Sequence, residues 1–294
     1  METSPPSDLS VIVVNYNTAD FLVRCLNSIA SQTQIDFEVI VVDNASQDNS
    51  LDLIRNSFPW VILIANEHNL GFARANNVAL KTCTANYVYF LNPDTEVLER
   101  CFRNMIDFMD QHPEIGLAGT RIVNPDGSPQ SSIEKRYPGE KYAKQELRDL
   151  KGNIAWVMGA SMLARRGIVE DLGGFDEEFF LYGEEQDLCL RIRRAGWAIG
   201  YINEAAVVHW GGQSERENPP AEVWKRKFDA EFTFYRKHYS KRAIRGIKRA
   251  NLIKSFWRIL TLKLTLPFCS DKDASLKKLE KYRLAIKAFG TRNI

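Results

Sequence analysis

Ser10-Val11-Ile12-Val13-Val14-Asn15-Tyr16-Asn17, and then Phe37-Glu38-Val39-Ile40-Val41-Val42-Asp43-Asn44, set the architecture of this chain. Each is an apolar run that ends abruptly in amides or a carboxylate. Between them, Phe21, Leu22, Cys25, Leu26 and Ile29 mark one face of a helix over Ala19 to Ser31. An unbroken apolar run predicts a strand covered on both faces. Strand, helix and strand with short connections predict a parallel α/β sheet.

The alternation continues outward. A helix is expected over Asn49 to Ser57, with Ser46 or Asp48 as N-cap. Strands are expected at Trp60 to Ala65 and Tyr87 to Leu91, around a helix from Phe72 to Thr82. Beyond residue 115 the pattern loosens. Gly116 to Val123, Ile154 to Leu163, Ala198 to Ile202 and Ala205 to His209 read as strands. Glu185 to Ala195 reads as a short helix stopped at Gly196, and 220–239 as an aromatic-rich helix. Residues 134–152 are charged, punctuated by Gly and Pro, and read as a loop.

The chain has 294 residues, 45% hydrophobic and 26% charged, an ordinary globular composition. Its net charge of +2 is unevenly spread. Residues 241–294 hold 15 Lys and Arg against 3 Asp and Glu, +12, which leaves 24 against 34 in residues 1–240, −10. A basic tail on an acidic body points to an anionic partner for the tail. No recognised nucleic-acid motif is present, so a membrane surface is expected and nucleic acid is not. Cys25, Cys83, Cys101, Cys189 and Cys269 are scattered, with no CxxC spacing. That argues against zinc and a disulfide framework, and for reduced thiols in the cytoplasm. Residues 1–8 are polar and Pro/Ser-rich, expected to be disordered and unlike a signal peptide. No apolar run approaches the ~20 residues of a spanning helix.

In residues 241–268 there are eight Lys and Arg and no acid. Ile253, Phe256, Trp257, Leu260 and Leu264 fall at i, i+3, i+4, i+7 and i+11, a single helical stripe flanked by Lys254 and Arg258. That pattern predicts an amphipathic helix lying in a membrane interface at the inner face of the cell membrane.

In open α/β sheets, ligands bind beyond the carboxyl ends of the strands. Asn15-Tyr16-Asn17, Asp43-Asn44 and Asn92-Pro93-Asp94 sit there, with groups that can hydrogen-bond a base and a ribose. No GxGxxG or GxxxxGK[ST] loop competes for that place. Asp94 is a candidate ligand for Mg²⁺ or Mn²⁺, which take one or two carboxylates plus phosphate oxygens and water. His209 could add an imidazole, which suits Mn²⁺ better. Glu184, Glu185 and Asp187 open the short helix, as dipole-stabilising acids or as a general base. Asp187 can also pair with Arg191 at i,i+4.

Six clusters in this order resemble an inverting glycosyltransferase of family two, with the GT-A fold, in its rhamnosyltransferase-like branch. They are Val13-Val14-Asn15-Tyr16-Asn17, Val42-Asp43-Asn44-Ala45-Ser46, Asn69-Leu70-Gly71-Phe72-Ala73, Leu91-Asn92-Pro93-Asp94, Gly173-Gly174-Phe175-Asp176 and His209-Trp210-Gly211-Gly212. The likeness covers residues 9 to about 214. It implies a GT-A domain over 9–240, with a donor half to about 115 and an acceptor half after it, and a helical tail over 241–294. Asn92-Pro93-Asp94 takes the family's DxD place, with Asp94 on the metal and Asn92 where the first Asp is usual. Asp43 would contact the base, and Asn15, Asn17, Asn69, Gly71 and Asn76 would complete the donor site. His209 would meet the metal or the diphosphate. Gly174, Phe175 and Asp176 would shape the acceptor site. The family's Glu-Asp base pair reads Glu184-Glu185 here, so Glu185 takes the base position, with Glu184 and Asp187 as alternatives. The implied reaction moves a sugar, rhamnose in that branch, from a nucleoside diphosphate to a saccharide, lipid-linked given the tail, in cell-surface polysaccharide synthesis. A non-catalytic nucleotide-sugar or lipid-binding protein on the same fold is the alternative.

Overall fold

Seven buried residues, Leu9–Asn15, form the strand β1 at the centre of the sheet. The computed structural model describes residues 7–213, 218–269 and 271–292, so most of the N-terminal segment read as disordered lies outside the described residues. Strands β2 (Phe37–Asp43), β3 (Ile62–Ala65) and β4 (Tyr87–Leu91) run parallel to β1 or to one another, and β5 (Thr95–Val97) follows. Then come β6 (Ile115–Val123), the short β7 (Ile133–Glu134) and β8 (Trp156–Val157), β9 (Ser161–Arg165) and β10 (Ala198–His209). The main sheet has eight strands in the order β3-β2-β1-β4-β9-β6-β10-β5, with β7 and β8 as a separate ribbon. It is mostly parallel. Strand β9 is antiparallel to both neighbours, and β5 is antiparallel to β10.

Strand alternation sorts the apolar side chains into two cores. Leu9, Val11 and Val13 face one with α1 (Ala19–Ala30), α2 (Ser50–Ser57) and α4 (Cys101–Gln111). Ile12 and Val14 face the other with α3 (Phe72–Leu80), α5 (Arg166–Asp171) and α6 (Glu184–Arg194). This is the expected fold class, a parallel-rich sheet covered on both faces. Registry matters for the site, because Asn15 pairs with Asp43, and Val13 with Leu91. The three polar clusters therefore emerge together beyond the carboxyl ends of these strands.

Four local expectations need correction. Ile154 to Leu163 is not one strand, because Ser161 N–H bonds the Met158 carbonyl in a turn that separates β8 from β9. The two runs from Ala198 to His209 are a single strand, whose register shift between Ile202 and Ala206 absorbs Asn203 and Glu204. Helix α2 starts after Asn49, while Asp48 accepts from Ser50 N–H and Ser46 serves elsewhere. Strand β5 and helix α4 were not foreseen, although Cys101, Phe102, Met105, Ile106 and Met109 form a buried helical face.

The chain divides into two compact units, and the sheet with its covering helices is the first. The second comprises Pro138–Asp149, Leu181–Gly183 and the C-terminal helices. These are α7 (Pro220–His238), α8 (Lys241–Thr265) and α9 (Lys272–Thr291). Ser240 Oγ caps α8, and Asp271 Oδ1 caps α9. Phe228 of α7 meets Phe289 of α9 edge-on at 5.8 Å. Helix α8 turns Ala243, Ile244, Ile247 and Ser255 inward. Its stripe from Ile253 to Leu264 faces outward, with Ile253 70% and Trp257 64% exposed.

Candidate active site

The floor of the site is a network of short polar side chains. Asn15 is fully buried and donates to Asp43 Oδ2 at 2.9 Å and to Ser46 Oγ at 3.0 Å. Thr18 Oγ1 donates back to Asn15 Oδ1 at 2.7 Å. Asp43 Oδ1 accepts from Ser46 N–H at 2.9 Å. Asn17 adopts φ of 52°, donates its N–H to Ser46 Oγ and accepts from Gln47 N–H. Asn15, Asn17 and Asp43 thus form one cluster, with Ser46 at its centre.

Asn44 is a second centre. Its amide donates to Asn69 Oδ1 at 2.8 Å and to the Gly71 carbonyl at 3.3 Å. Its oxygen accepts from Asn66 Nδ2 and Leu70 N–H. Asn69 also accepts from Gly71 N–H, so the loop from 66 to 71 is tied to the end of β2. Gly71 has φ of +80°, and a Cβ there would lie 2.5 Å from the Phe180 carbonyl oxygen. Asn76 is buried within α3 and donates to the Phe72 carbonyl of its own helix.

Asp94 and His209 come together. Asp94 Oδ1 lies 3.4 Å from His209 Nε2, and both side chains are nearly buried. Pairing of β5 with β10 sets them, with His209 opposite Thr95. His209 Nδ1 is 2.7 Å from Gln130 Oε1. Gln130 Nε2 donates to Asn124 Oδ1 and toward the His209 carbonyl, so its oxygen faces the ring. An amide oxygen only accepts. Nδ1 therefore donates to Gln130, and Nε2 faces the carboxylate. A proton or a cation between Nε2 and Oδ1 would satisfy both. Gln213 N–H approaches Asp94 Oδ2 at 3.4 Å, and Gln213 Oε1 is buried with no partner among the described residues. No cluster of three or more His, Cys, Asp or Glu that could hold a metal occurs among the described residues. Asp94 and His209 nonetheless fit a cation whose remaining positions go to phosphate and water. Asn92 is half-buried, and its N–H bonds the Ala160 carbonyl at 3.0 Å.

The start of α6 separates its three acids. Asp187 is fully buried and bonds Arg191 at 2.7 Å. Arg191 also donates to the carbonyls of Leu172 and Gly174. Glu184 is buried with Oε2 unpartnered. Burial, then the adjoining Glu185, push its carboxyl well above the usual carboxylate range. Glu185 packs beside Gly159, where a Cβ would lie 3.7 Å from the Glu185 Cβ. Gly159 adjoins Ala160, which Asn92 bonds, so Glu185 sits next to the loop that holds the end of β4.

The Gly174 to Asp176 loop is held from both sides. Gly174 has φ of +77°, and a Cβ there would collide with Asn77 Oδ1. Asn77 bonds the Phe175 backbone twice. The Phe175 ring is buried 4.8 Å from Phe90, so this residue presents backbone to the site rather than ring. Asp176 Oδ1 accepts from Glu178 N–H in a local turn. Asn77, Gln130 and Gln213 escaped sequence reasoning. Gln130 and Gln213 sit in segments without periodicity.

Residues 10–173 match the family described as Glycosyl transferase family 2. An N-acetylglucosaminyl-diphospho-decaprenol L-rhamnosyltransferase of Mycobacterium tuberculosis is 26% identical over 245 residues, covering 73% of this chain and 80% of that one. Among solved structures, the mannosyltransferase PcManGT from Pyrobaculum calidifontis, in complex with GDP-Man and Mn²⁺, superposes with a TM-score of 0.57 at 18% identity. It covers 99% of this chain and 77% of its own. TarS 1–349 of S. aureus with UDP-GlcNAc gives a TM-score of 0.53 at 19% identity, over 95% and 72% of the two chains. These two likenesses show the fold.

Proposed function

The chain belongs to glycosyl transferase family 2, and on that premise we propose an inverting transfer of a sugar from a nucleoside diphosphate to a lipid-linked saccharide. The name of the mycobacterial relative supports rhamnose as the sugar and a polyprenyl diphosphate as the lipid carrier. Cell-surface polysaccharide synthesis is the setting that follows.

The observation that carries this reading is the facing pair of Asp94 Oδ1 and His209 Nε2 at 3.4 Å, with the ring tautomer set by Gln130. Asp94 and His209 would hold Mg²⁺ or Mn²⁺, and the PcManGT complex with Mn²⁺ supports a divalent cation. Such a cation supplies Lewis-acid stabilisation of a leaving diphosphate. The protein's own groups do the rest. Asp43, Asn15 and Asn17 line the base and ribose end of the donor site, with Asn69, Gly71 and Asn92 beside them. Asn76 supports that wall from within α3. Glu185 accepts the proton of the attacking hydroxyl. The other two acids are less suited. Burial and the neighbouring Glu185 disfavour the charged form of Glu184 that a base needs, and Asp187 is committed to Arg191. The backbone of Gly174 to Asp176 positions the acceptor.

No helix among the described residues is long and apolar enough to cross a membrane. The exposed stripe of α8 beside its basic residues supports peripheral attachment to an anionic surface. The decisive experiment is thermal stabilisation by a panel of nucleoside diphosphates, with and without Mn²⁺, beside Asp94→Ala and Glu185→Gln. Glu185→Gln should keep the nucleotide shift while turnover falls by roughly 10²–10⁴-fold. A folded protein that no nucleotide stabilises would sink the reading in favour of a non-catalytic protein.

A further inference from the structure

The second unit contains a cleft of about 420 Å³ lined by Tyr142, Arg242, Ala243, Arg245, Gly246 and Arg249. We infer that this cleft binds the diphosphate group of a membrane amphiphile whose hydrocarbon lies along the stripe of α8. The inference rests on the lipid-linked acceptor proposed above and assigns its phosphates a place.

The three arginines fall at i, i+3 and i+7, on one face of α8. All three are exposed, and none has an acidic partner among the described residues. Three arginines lining one cleft, none held by an acidic partner among the described residues, form a site for an anion. Guanidinium binds phosphate oxygens in a bidentate fork. A single phosphodiester would leave most of that charge unmatched, whereas a diphosphate offers two linked anionic groups.

The cleft is built by packing rather than by chance proximity. The Tyr142 ring lies against Gly246, where a Cβ would come within 2.9 Å of its Cδ1. Gly139, at φ of +68°, sits so close to Ile247 that a Cβ would lie 2.5 Å from Cδ1. Tyr239 donates its hydroxyl to the Pro138 carbonyl at 2.7 Å, and Ser240 N–H bonds Glu146. The segment from 138 to 149 is therefore fastened just before α8 and along its first turns.

The same helical face continues past Arg249 into Ile253, Phe256, Trp257, Leu260 and Leu264, all exposed. From Arg245 to Leu260 the helix rises roughly 22 Å. One face thus offers cations for a head group and then an apolar track for a chain, the order of groups in a prenyl diphosphate.

The test is calorimetric binding to the full chain of farnesyl diphosphate, inorganic diphosphate and farnesol, with sedimentation on phosphatidylglycerol vesicles alongside. The variant is Arg242→Gln/Arg245→Gln/Arg249→Gln. Its control, Lys277→Gln/Lys278→Gln/Arg283→Gln on α9, removes the same charge. Farnesyl diphosphate should bind at least tenfold more weakly to the arginine variant and within twofold to the control. Inorganic diphosphate should compete, and farnesol should not. Equal weakening in both variants, or unchanged affinity in the arginine variant, overturns the inference. So does vesicle binding that both variants lose alike and that diphosphate does not relieve, since the arginines would then serve bulk surface charge. Nucleotide stabilisation is read in the same samples. Its retention shows the variant folded, and its absence from the unaltered protein sinks the transferase reading instead.

Discussion

Asn77 holds both backbone polar groups of Phe175, with Nδ2 donating to the Phe175 carbonyl at 2.8 Å and Oδ1 accepting from its N–H at 2.8 Å. A side-chain amide here imitates a strand partner for a loop that has none. Replacing Asn77 by Ala strands both backbone groups, at about 1–3 kcal/mol for each one left unsatisfied. We expect Asn77→Ala to lose about 2 kcal/mol in urea unfolding and to raise the acceptor KM. Asn77→Asp, which keeps only the acceptor, should fall between. An Ala variant with unaltered stability and KM would show that the loop holds itself.

Gln130 positions His209. Outer partners of a metal-binding histidine are worth about 10–100-fold in metal affinity. Gln130→Leu should weaken Mn²⁺ binding by roughly tenfold, measured as free Mn²⁺ by paramagnetic resonance without substrate. Unchanged Mn²⁺ affinity would remove Gln130 from the site.

Glu184 gives stability a pH dependence of known sign. Its native carboxyl titrates well above the ordinary value of 4.5, chiefly because it is buried. Between those two values the native state keeps a proton that the unfolded chain releases. Stability on this account is present below the unfolded value and lost as pH rises toward the native one. Glu184→Gln should therefore melt higher than the unaltered protein at pH 8, with the difference closing toward pH 5. A difference that stays constant with pH would contradict a protonated native Glu184.

Four of the five thiols should be silent. Burial pushes Cys25, Cys83, Cys101 and Cys189 up to about 12 each. Only the thiolate reacts. Cys269 is partly exposed. A thiol reagent should therefore label Cys269 alone in the native protein and all five thiols in denaturant, counted by mass. Native labelling at Cys101 would mean that α4 opens.

The outer stripe of α8 should matter to vesicles and not to folding. Trp257→Ser/Leu260→Ser alters two exposed side chains, and surface changes of this kind stay within about 0.5 kcal/mol. Sedimentation with anionic vesicles should fall severalfold. Undiminished sedimentation would leave the stripe without a role in attachment.

Much of this was legible because unbroken apolar runs leave a strand no exposed face. Strands β1, β2 and β4, and the polar residues ending them, followed from that alone. Strand β9 lies antiparallel between β4 and β6, and no local pattern encodes such an insertion, because strand order is settled by packing. The polar Asn203 and Glu204 split β10 in the sequence, yet a register shift carries them. Asn76 and Asn77 differ by one helical step, and only the first is named from the sequence. Asn76 follows Ala73 by three residues and precedes Leu80 by four, on the buried face of α3. Its neighbour points to the loop.

Arg191 leaves α6 to grip the carbonyls of Leu172 and Gly174 while bonded to Asp187 one turn back. The helix that carries Glu185 and the loop that would seat the acceptor are thus one mechanical piece. On the roles proposed above, an acceptor that shifts the loop would drag Glu185 with it. Fit and reactivity would then be a single variable, with a poorly shaped acceptor rejected in the chemical step rather than at the door.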